Sequence, residues 1–288
     1  MTKEITLDQA PDLRRIYATA ALRRGSSSDT LPEVRYSRAG IRVAVDDLVD
    51  YAHVCRFPVG SMLPPTYPHL VAFPLQMAVM SGHGFPLPLL GAVHVENRIE
   101  VVRGIGVDEP LDVSAWASGL RPHRRGRQVD LVSEVSVRGE VVWRGTSTYL
   151  SRGTEHPEAP PSEPPSTASL ERVTAGPRWR LGEGTGRAYA AVSGDWNPIH
   201  VHALAARPLG FPSAIAHGMY SYARVLASLG PRLPESGLTS RVWFRKPVRL
   251  PSTVRLRTTF EASGALSVLE NAKGERGDVV HAVVENTW

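Results

Sequence analysis

The sequence predicts an α+β protein built from two similar halves, and three observations carry that prediction. A proline-rich stretch divides the chain near its middle. Two segments of the first half can be laid over two of the second at nearly the same spacing. Each half also offers one apolar helix followed by a series of strand-like runs.

The dividing stretch, residues 153–169, reads GTEHPEAPPSEPPSTAS: five prolines, three glutamates and almost nothing apolar. Proline fixes its own φ and has no amide proton to donate, so such a stretch reads as a linker. The expected organisation is a first domain over 1–152, a linker over 153–170 and a second domain over 171–288. The repeat is weak but ordered. Tyr51-Ala-His-Val-Cys55 can be laid over Tyr189-Ala-Ala-Val-Ser193, and Asn97-Arg-Ile-Glu-Val-Val-Arg103 over Ser240-Arg-Val-Trp-Phe-Arg-Lys246, at offsets of 138 and 143. Similar offsets in the same order point to a duplicated fold.

In the first half the helix is expected over 70–80. Pro65, Pro68 and Pro74 crowd it, and each either removes a helical hydrogen bond or disfavours helix just before it. This helix is therefore expected to be short or broken, leaving space beside it. Strands are expected over 93–102, 111–118, 129–137 and 141–150, with the arginine-rich Arg121-Pro-His-Arg-Arg-Gly-Arg127 forming a hairpin turn. In the second half Ser213 can cap a helix over 214–229 that Gly230-Pro231 ends. Its sequence is apolar nearly all round, as a helix buried on most sides should be. Strands follow over 240–245, 252–261, 265–270 and 279–287. One helix laid on a meandering antiparallel sheet, twice, is an α+β arrangement.

Composition narrows the function classes. With 42% hydrophobic residues the chain can build proper cores. No run approaches the roughly 18 apolar residues of a spanning helix, and acidic residues interrupt Met1–Arg15, so a cytoplasmic protein without membrane insertion is expected. Cys55 is the only cysteine, which excludes an internal disulfide and a multi-thiolate zinc site. Cys55 has no evident base partner and reads as a small core residue. The net charge is +5, with three lysines among 33 basic residues. Neither a nucleic-acid motif nor aromatic interleaving of basic residues accompanies that charge, so no nucleic-acid partner is expected.

The chemistry is concentrated between Tyr189 and Met219: YAAVSGDWNPIHVHALAARPLGFPSAIAHGM. Ser193-Gly-Asp-Trp-Asn-Pro-Ile-His200 packs a carboxylate, an amide and an imidazole into six residues, and Gly194 and Pro198 force turns rather than helix. One carboxylate and one imidazole converging on a single water suit acid/base chemistry, such as adding water across a double bond conjugated to a carbonyl. Asn197 could hold that water or fix the imidazole tautomer. His217-Gly218, near the start of the buried helix, could stabilise an oxyanion through the Gly218 amide.

The run Y-A-x-x-S-G-D-x-N-P-I-H, followed by G-F-x-x-x-I-A-H-G-M, resembles the signature of MaoC-like, R-specific (type 2) enoyl-CoA hydratases. Thr66-Tyr-Pro-His69 and the His123-Arg-Arg-Gly126 turn further resemble actinobacterial 3-hydroxyacyl-thioester dehydratases. The resemblance implies a double hotdog, two antiparallel sheets each wrapping a central helix and packed as a pseudo-dimer, with a non-catalytic first copy. It implies Asp195 and His200 as the catalytic pair, Asn197 in support and the Gly218 amide on the thioester oxygen, with no metal or redox cofactor. The implied reaction is reversible syn addition of water to a trans-2-enoyl thioester, giving the (R)-3-hydroxyacyl thioester. Coenzyme A or phosphopantetheine enters only as part of the substrate, on acyl-CoA or an acyl-carrier protein.

In the first half, Tyr51–Cys55 is followed by Arg56-Phe-Pro-Val-Gly60, with no Asp-x-Asn-x-x-His, so one active site per chain is expected. The degenerate half is expected to give up helix to a medium or long acyl chain. Ser193, Arg245 and Lys246 are candidate substrate contacts. His202 and His217 read as structural, and His94, Glu96 and Asn97 as a solvent face or a contact between the halves. Two rival functions share this fold: a thioesterase, and a non-catalytic acyl-thioester-binding subunit. The chain as monomer or as homodimer is left open.

Overall fold

Strand side chains alternate between faces, and the alternation of buried and half-buried residues in Gly126–Val137 follows that rule almost without exception. The computed structural model describes residues 2–20, 28–207, 210–272 and 279–288. They fall into two units: residues up to 45 with 61–162, and residues 46–60 with 163–288.

The first unit begins with β1 (Lys3–Thr6), α1 (Leu13–Ala20) and β2 (Val34–Ile41); α2 (Val45–Cys55) falls almost wholly in the second unit. Then come α3 (Tyr67–Ser81), β3 (Val93–Val101), β4 (Leu111–His123), β5 (Gly126–Val137) and β6 (Glu140–Arg152). Within this unit the strand order is β1-β2-β4-β5-β6-β3, antiparallel except for the parallel β1–β2 pair. The arginine-rich segment is the β4–β5 hairpin. Its side chains are tied within the unit: Arg121 pairs with Asp130 at 2.7 Å, Arg127 with Asp29 at 3.0 Å, and Arg124 donates to the Ala159 carbonyl.

The expected short or broken helix is not what forms. α3 runs unbroken for 15 residues, with Pro68 in its first turn, where no intrahelical amide is lost, and Pro74 inside it. An interior proline costs about 3 kcal/mol. Here Phe73, Met77 and Met80 are buried against Val129, Leu131 and Tyr149, and fully burying one such side chain contributes about 1.5–3 kcal/mol. Packing thus outweighs the local penalty, and the space expected beside a broken helix loses its basis. Asn97 is also corrected: rather than facing solvent it is fully buried, and its amide donates to Ser147 Oγ at 2.9 Å. His94, on the same strand, stacks its ring on Tyr149.

The second unit contains β7 (Arg178–Leu181), α4 (Thr185–Ser193), α5 (Pro198–Val201), α6 (Ala203–Ala206), α7 (Gly218–Ala227), β8 (Leu238–Phe244), β9 (Ser252–Glu261), β10 (Gly264–Asn271) and β11 (Val280–Thr287). Its strands run β8-β11-β10-β9-β7, all antiparallel. Leu170, at the end of the proline-rich segment, is fully buried against Val268 and Val283. Ser240, the residue laid over Asn97, is fully buried too. It accepts from Tyr222 Oη and donates to Asn286 Oδ1, both at 2.6 Å.

The second helix is the other correction. It starts at Gly218, not Ala214, because residues 214–217 are recruited into backbone pairing. Ile215 N–H donates to the Ile199 carbonyl, Ala216 N–H to Val248, and Leu250 N–H to Ala214. Those bonds hold the segment extended and deliver the helix N-terminus to the Asp195–His200 loop.

Candidate active site

Three short polar side chains, two residues apart, shape the loop between α4 and α5. α4 ends at Gly194, whose φ of 73° is the left-handed conformation that costs glycine least. Ser193 Oγ then accepts from Asp195 N–H at 3.2 Å. Asp195 Oδ1 accepts from Asn197 N–H at 3.2 Å, and Asn197 Oδ1 from Ile199 N–H at 3.3 Å. Such side chains compete with the helix for backbone amides, which is why the segment turns instead of continuing α4. Pro198 occupies the first turn of α5, where its missing N–H costs nothing. The loop is also held from behind. A Cβ on Gly186 would sit 1.8 Å from the His200 carbonyl oxygen, so only glycine lets α4 approach α5 this closely.

His200 is 9% exposed. Its Nδ1 lies 2.9 Å from the Ile215 carbonyl, which can only accept, so Nδ1 carries the proton and Nε2 presents a lone pair. The tautomer-fixing role expected of Asn197 falls to this carbonyl, and Asn197 serves instead as the cap of α5. Burial holds the His200 imidazole below its usual pKa, against the pull of the Asp195 carboxylate and the Ile215 bond. The ring is neutral at pH 7 and available as a base.

His217, read from sequence as structural, lies inside the site. Its ring stacks on that of His200 with centroids 3.7 Å apart. Its Nε2 donates to the Asp195 carbonyl at 2.9 Å and lies 3.8 Å from Asp195 Oδ2. Burial, then the neighbouring His200, push its pKa down to about 3. The sequence signal for this residue was the A-H-G-M run itself; Gly186 had no signal beyond being a glycine. His202, by contrast, is exposed and caps α6 through Nδ1.

Asp195, His200 and His217 each bring a potential metal-ligating atom within 4.8 Å of the others. His200 Nδ1 and His217 Nε2 each turn a proton to a backbone carbonyl and so offer no lone pair, and the two rings lie in nearly parallel planes, an arrangement that suits proton transfer better than a shared ion. Gly218 is the first residue of α7, where amides lack an intrahelical acceptor. A Cβ there would meet the Phe244 ring at 3.0 Å. The Arg245 and Lys246 side chains are exposed just past β8. Among the described residues no hydrogen bond or ion pair joins them to the loop between α4 and α5; their backbones instead bond to His281.

Residues 156–283 match the family model of the MaoC like domain. A 3-hydroxyacyl-thioester dehydratase X of Mycobacterium tuberculosis is 37% identical over 262 residues, which cover 89% of this chain and 91% of the relative. An (R)-specific enoyl-CoA hydratase of Rhodospirillum rubrum is 39% identical over 74 residues, 25% of this chain and 51% of that protein. The crystal structure of HtdX from Mycobacterium tuberculosis matches with a TM-score of 0.75 at 34% identity, covering 88% of this chain and 98% of that one. With its two units of helix and antiparallel sheet, the fold is an α+β double hotdog.

Proposed function

The chain belongs to the MaoC-like dehydratase family, and from that premise we propose that Asp195 and His200 jointly activate one water to hydrate a trans-2-enoyl thioester. The enzyme is a hydro-lyase on acyl thioesters, interconverting enoyl and 3-hydroxyacyl forms, as the dehydratase and (R)-specific hydratase relatives support. The observation that carries the catalytic assignment is the convergence of the Asp195 carboxylate on a buried, neutral His200 whose tautomer is fixed by a backbone carbonyl.

In the hydration direction the water oxygen bonds to C3 and the C2–C3 π pair moves towards the carbonyl. The pair takes the proton released from the water and delivers it to C2, which restores the thioester and returns both groups to their starting state. A single water held between two groups on one face gives syn addition, and the face of the double bond turned towards the pair sets the (R) configuration. The developing oxyanion is met by the Gly218 N–H at the α7 terminus, where the helix dipole favours negative charge. No metal or redox cofactor is required, because water supplies both added groups and no net electron transfer takes place. The substrate carrier is coenzyme A or an acyl-carrier protein's phosphopantetheine, with Ser193, Arg245 and Lys246 as candidate contacts. The reading places the enzyme in the cytoplasm. Among the described residues no helix is long and apolar enough to cross a membrane.

The test follows loss of enoyl-thioester ultraviolet absorbance on trans-2-enoyl-CoA of short, medium and long chain, for wild type, Asp195→Asn and His200→Ala. The expected result is (R)-3-hydroxyacyl-CoA from wild type alone. Release of free thiol instead would convert the reading to a thioesterase, and silence on both coenzyme A and carrier-protein substrates would leave a binding subunit.

A further inference from the structure

Building on the reading of Asp195 and His200 as the acid/base pair, we infer that His217 is a positioning residue that locks both of them with two different parts of one ring. Its Nε2–H clamps the Asp195 carbonyl at 2.9 Å, with Asp195 Oδ2 only 3.8 Å away. Its face lies on the face of His200, 3.7 Å between centroids and 27° from parallel. The first contact fixes the backbone from which the carboxylate springs. The second removes the freedom of the His200 ring to tilt away from the water, since Nδ1 already holds one edge of it at Ile215.

The surroundings are arranged to hold the brace itself. Its exposure is 2%, and Tyr189 packs against it from α4 with centroids 4.8 Å apart. The titratable groups facing it are therefore Asp195 from the loop, His200 from α5 and Tyr189 from α4. Its Nδ1 is buried with no hydrogen-bond partner among the described residues, which is costly for a polar atom. A residue serving only to fill core volume would more cheaply be a phenylalanine or leucine. Keeping an imidazole, with one nitrogen unsatisfied, makes sense if the other nitrogen and the ring face are both in use. Its pKa of about 3 keeps it uncharged across the working range, so it can lie on a histidine that gains and loses a proton without adding a fixed charge.

Two substitutions separate the contacts. His217→Phe keeps a ring over His200 and loses the donor to Asp195, whereas His217→Gln keeps a side-chain amide donor and loses the ring. Each is expected to lower kcat by roughly 10- to 100-fold, as small misplacements of reacting groups do, with KM within about 3-fold. His217→Gln should also move the acid limb of the rate–pH profile upward, because water reaches a less covered His200, while His217→Phe leaves that limb in place. A variant-free check is the ring ¹⁵N spectrum of uniformly labelled wild type. It should show His217 protonated at Nε2 only, from pH 5 to 8. Wild-type kcat and pH profiles in both variants would overturn the inference, as would a His217 proton on Nδ1. Asp195→Asn, assayed in parallel, separates the two levels of argument. If it is inactive while both His217 variants are normal, only the brace falls; if it too is fully active, the acid/base reading falls with it.

Discussion

The helix ends at residues 55 and 193 make the sharpest comparison in the molecule. α2 and α4 carry the matching YAHVC and YAAVS segments, both Tyr51 and Tyr189 are buried, and their rings lie 6.4 Å apart. Both helices are followed by a residue in left-handed conformation: Arg56 at φ 67° after the first and Gly194 at 73° after the second. The backbone is thus repeated one residue past the sequence match. Beyond it the two diverge. Phe57-Pro-Val-Gly60 has no side chain able to capture an amide, whereas Ser193, Asp195 and Asn197 capture three in succession. Cys55 takes the place of Ser193, is fully buried, and burial pushes its thiol up to about 12, so it is no nucleophile. On the proposed reading, chemical competence comes from one polar loop on a repeated scaffold, not from the scaffold.

Removing the acid/base pair should break the comparison most. Asp195→Asn and His200→Ala should each cost on the order of 10³-fold in kcat, within the range for general acid/base groups, read by enoyl-thioester absorbance with circular dichroism as the folding control. Next is Gly186→Ala, which pushes a methyl into the His200 carbonyl. Overpacking of this kind costs about 1–3 kcal/mol, and a drop in the urea midpoint should come with loss of kcat; unchanged stability would mean that α4 does not hold the loop.

Acid should weaken the active-site unit through three histidines, and the first unit through His123, whose pKa burial also lowers. His200, His217 and His281 all have pKa values lowered mainly by burial. The unfolded chain then binds more protons than the native one below an ordinary histidine pKa of about 6.5, so stability falls as pH drops. Each fully depressed histidine contributes a slope approaching ~1.4 kcal/mol per pH unit until its native pKa is reached, about 3 for His217. Urea melts at pH 7.5 and 5 should show this loss, and His217→Gln should reduce it. The smallest effects are at the caps. Gly194→Ala should cost about 1 kcal/mol through the positive φ, and Arg56→Gly should gain about 0.5–1 kcal/mol at the matching position. Equal and opposite shifts in Tm would show that the two helix ends are the same device.

What could be read from sequence followed the range of the interactions. Eight of the nine strands after residue 92 were legible, β7 being the exception, because alternation and turn residues are local signals, and the Asp195–His200 loop because its residues sit within six positions. The continuity of α3 was not legible. Pro74 argues against it locally, and the burial of Phe73, Met77 and Met80 that decides the matter lies across the unit on β5 and β6. The start of α7 was missed for a similar reason: its sequence reads as helix from 214, but pairing with 199 and 248–250 wins. His217 looked structural because nothing in a linear motif tells that a ring 17 positions away lies flat on another. Gly186 was invisible, since the contact it permits is with a backbone oxygen.

That last kind of partner has a consequence for how the enzyme can change. The proton on His200 is assigned by the Ile215 carbonyl, which every amino acid at position 215 would supply equally, except where its shape disturbs the chain path. A mutational scan of position 215 should therefore report tolerance to many residues while the oxygen remains indispensable. Drift can erode the side chain there without touching the catalytic tautomer. In other folds a histidine oriented by an aspartate stands one codon away from losing its orientation; here the orienting atom lies beyond the reach of any single base change.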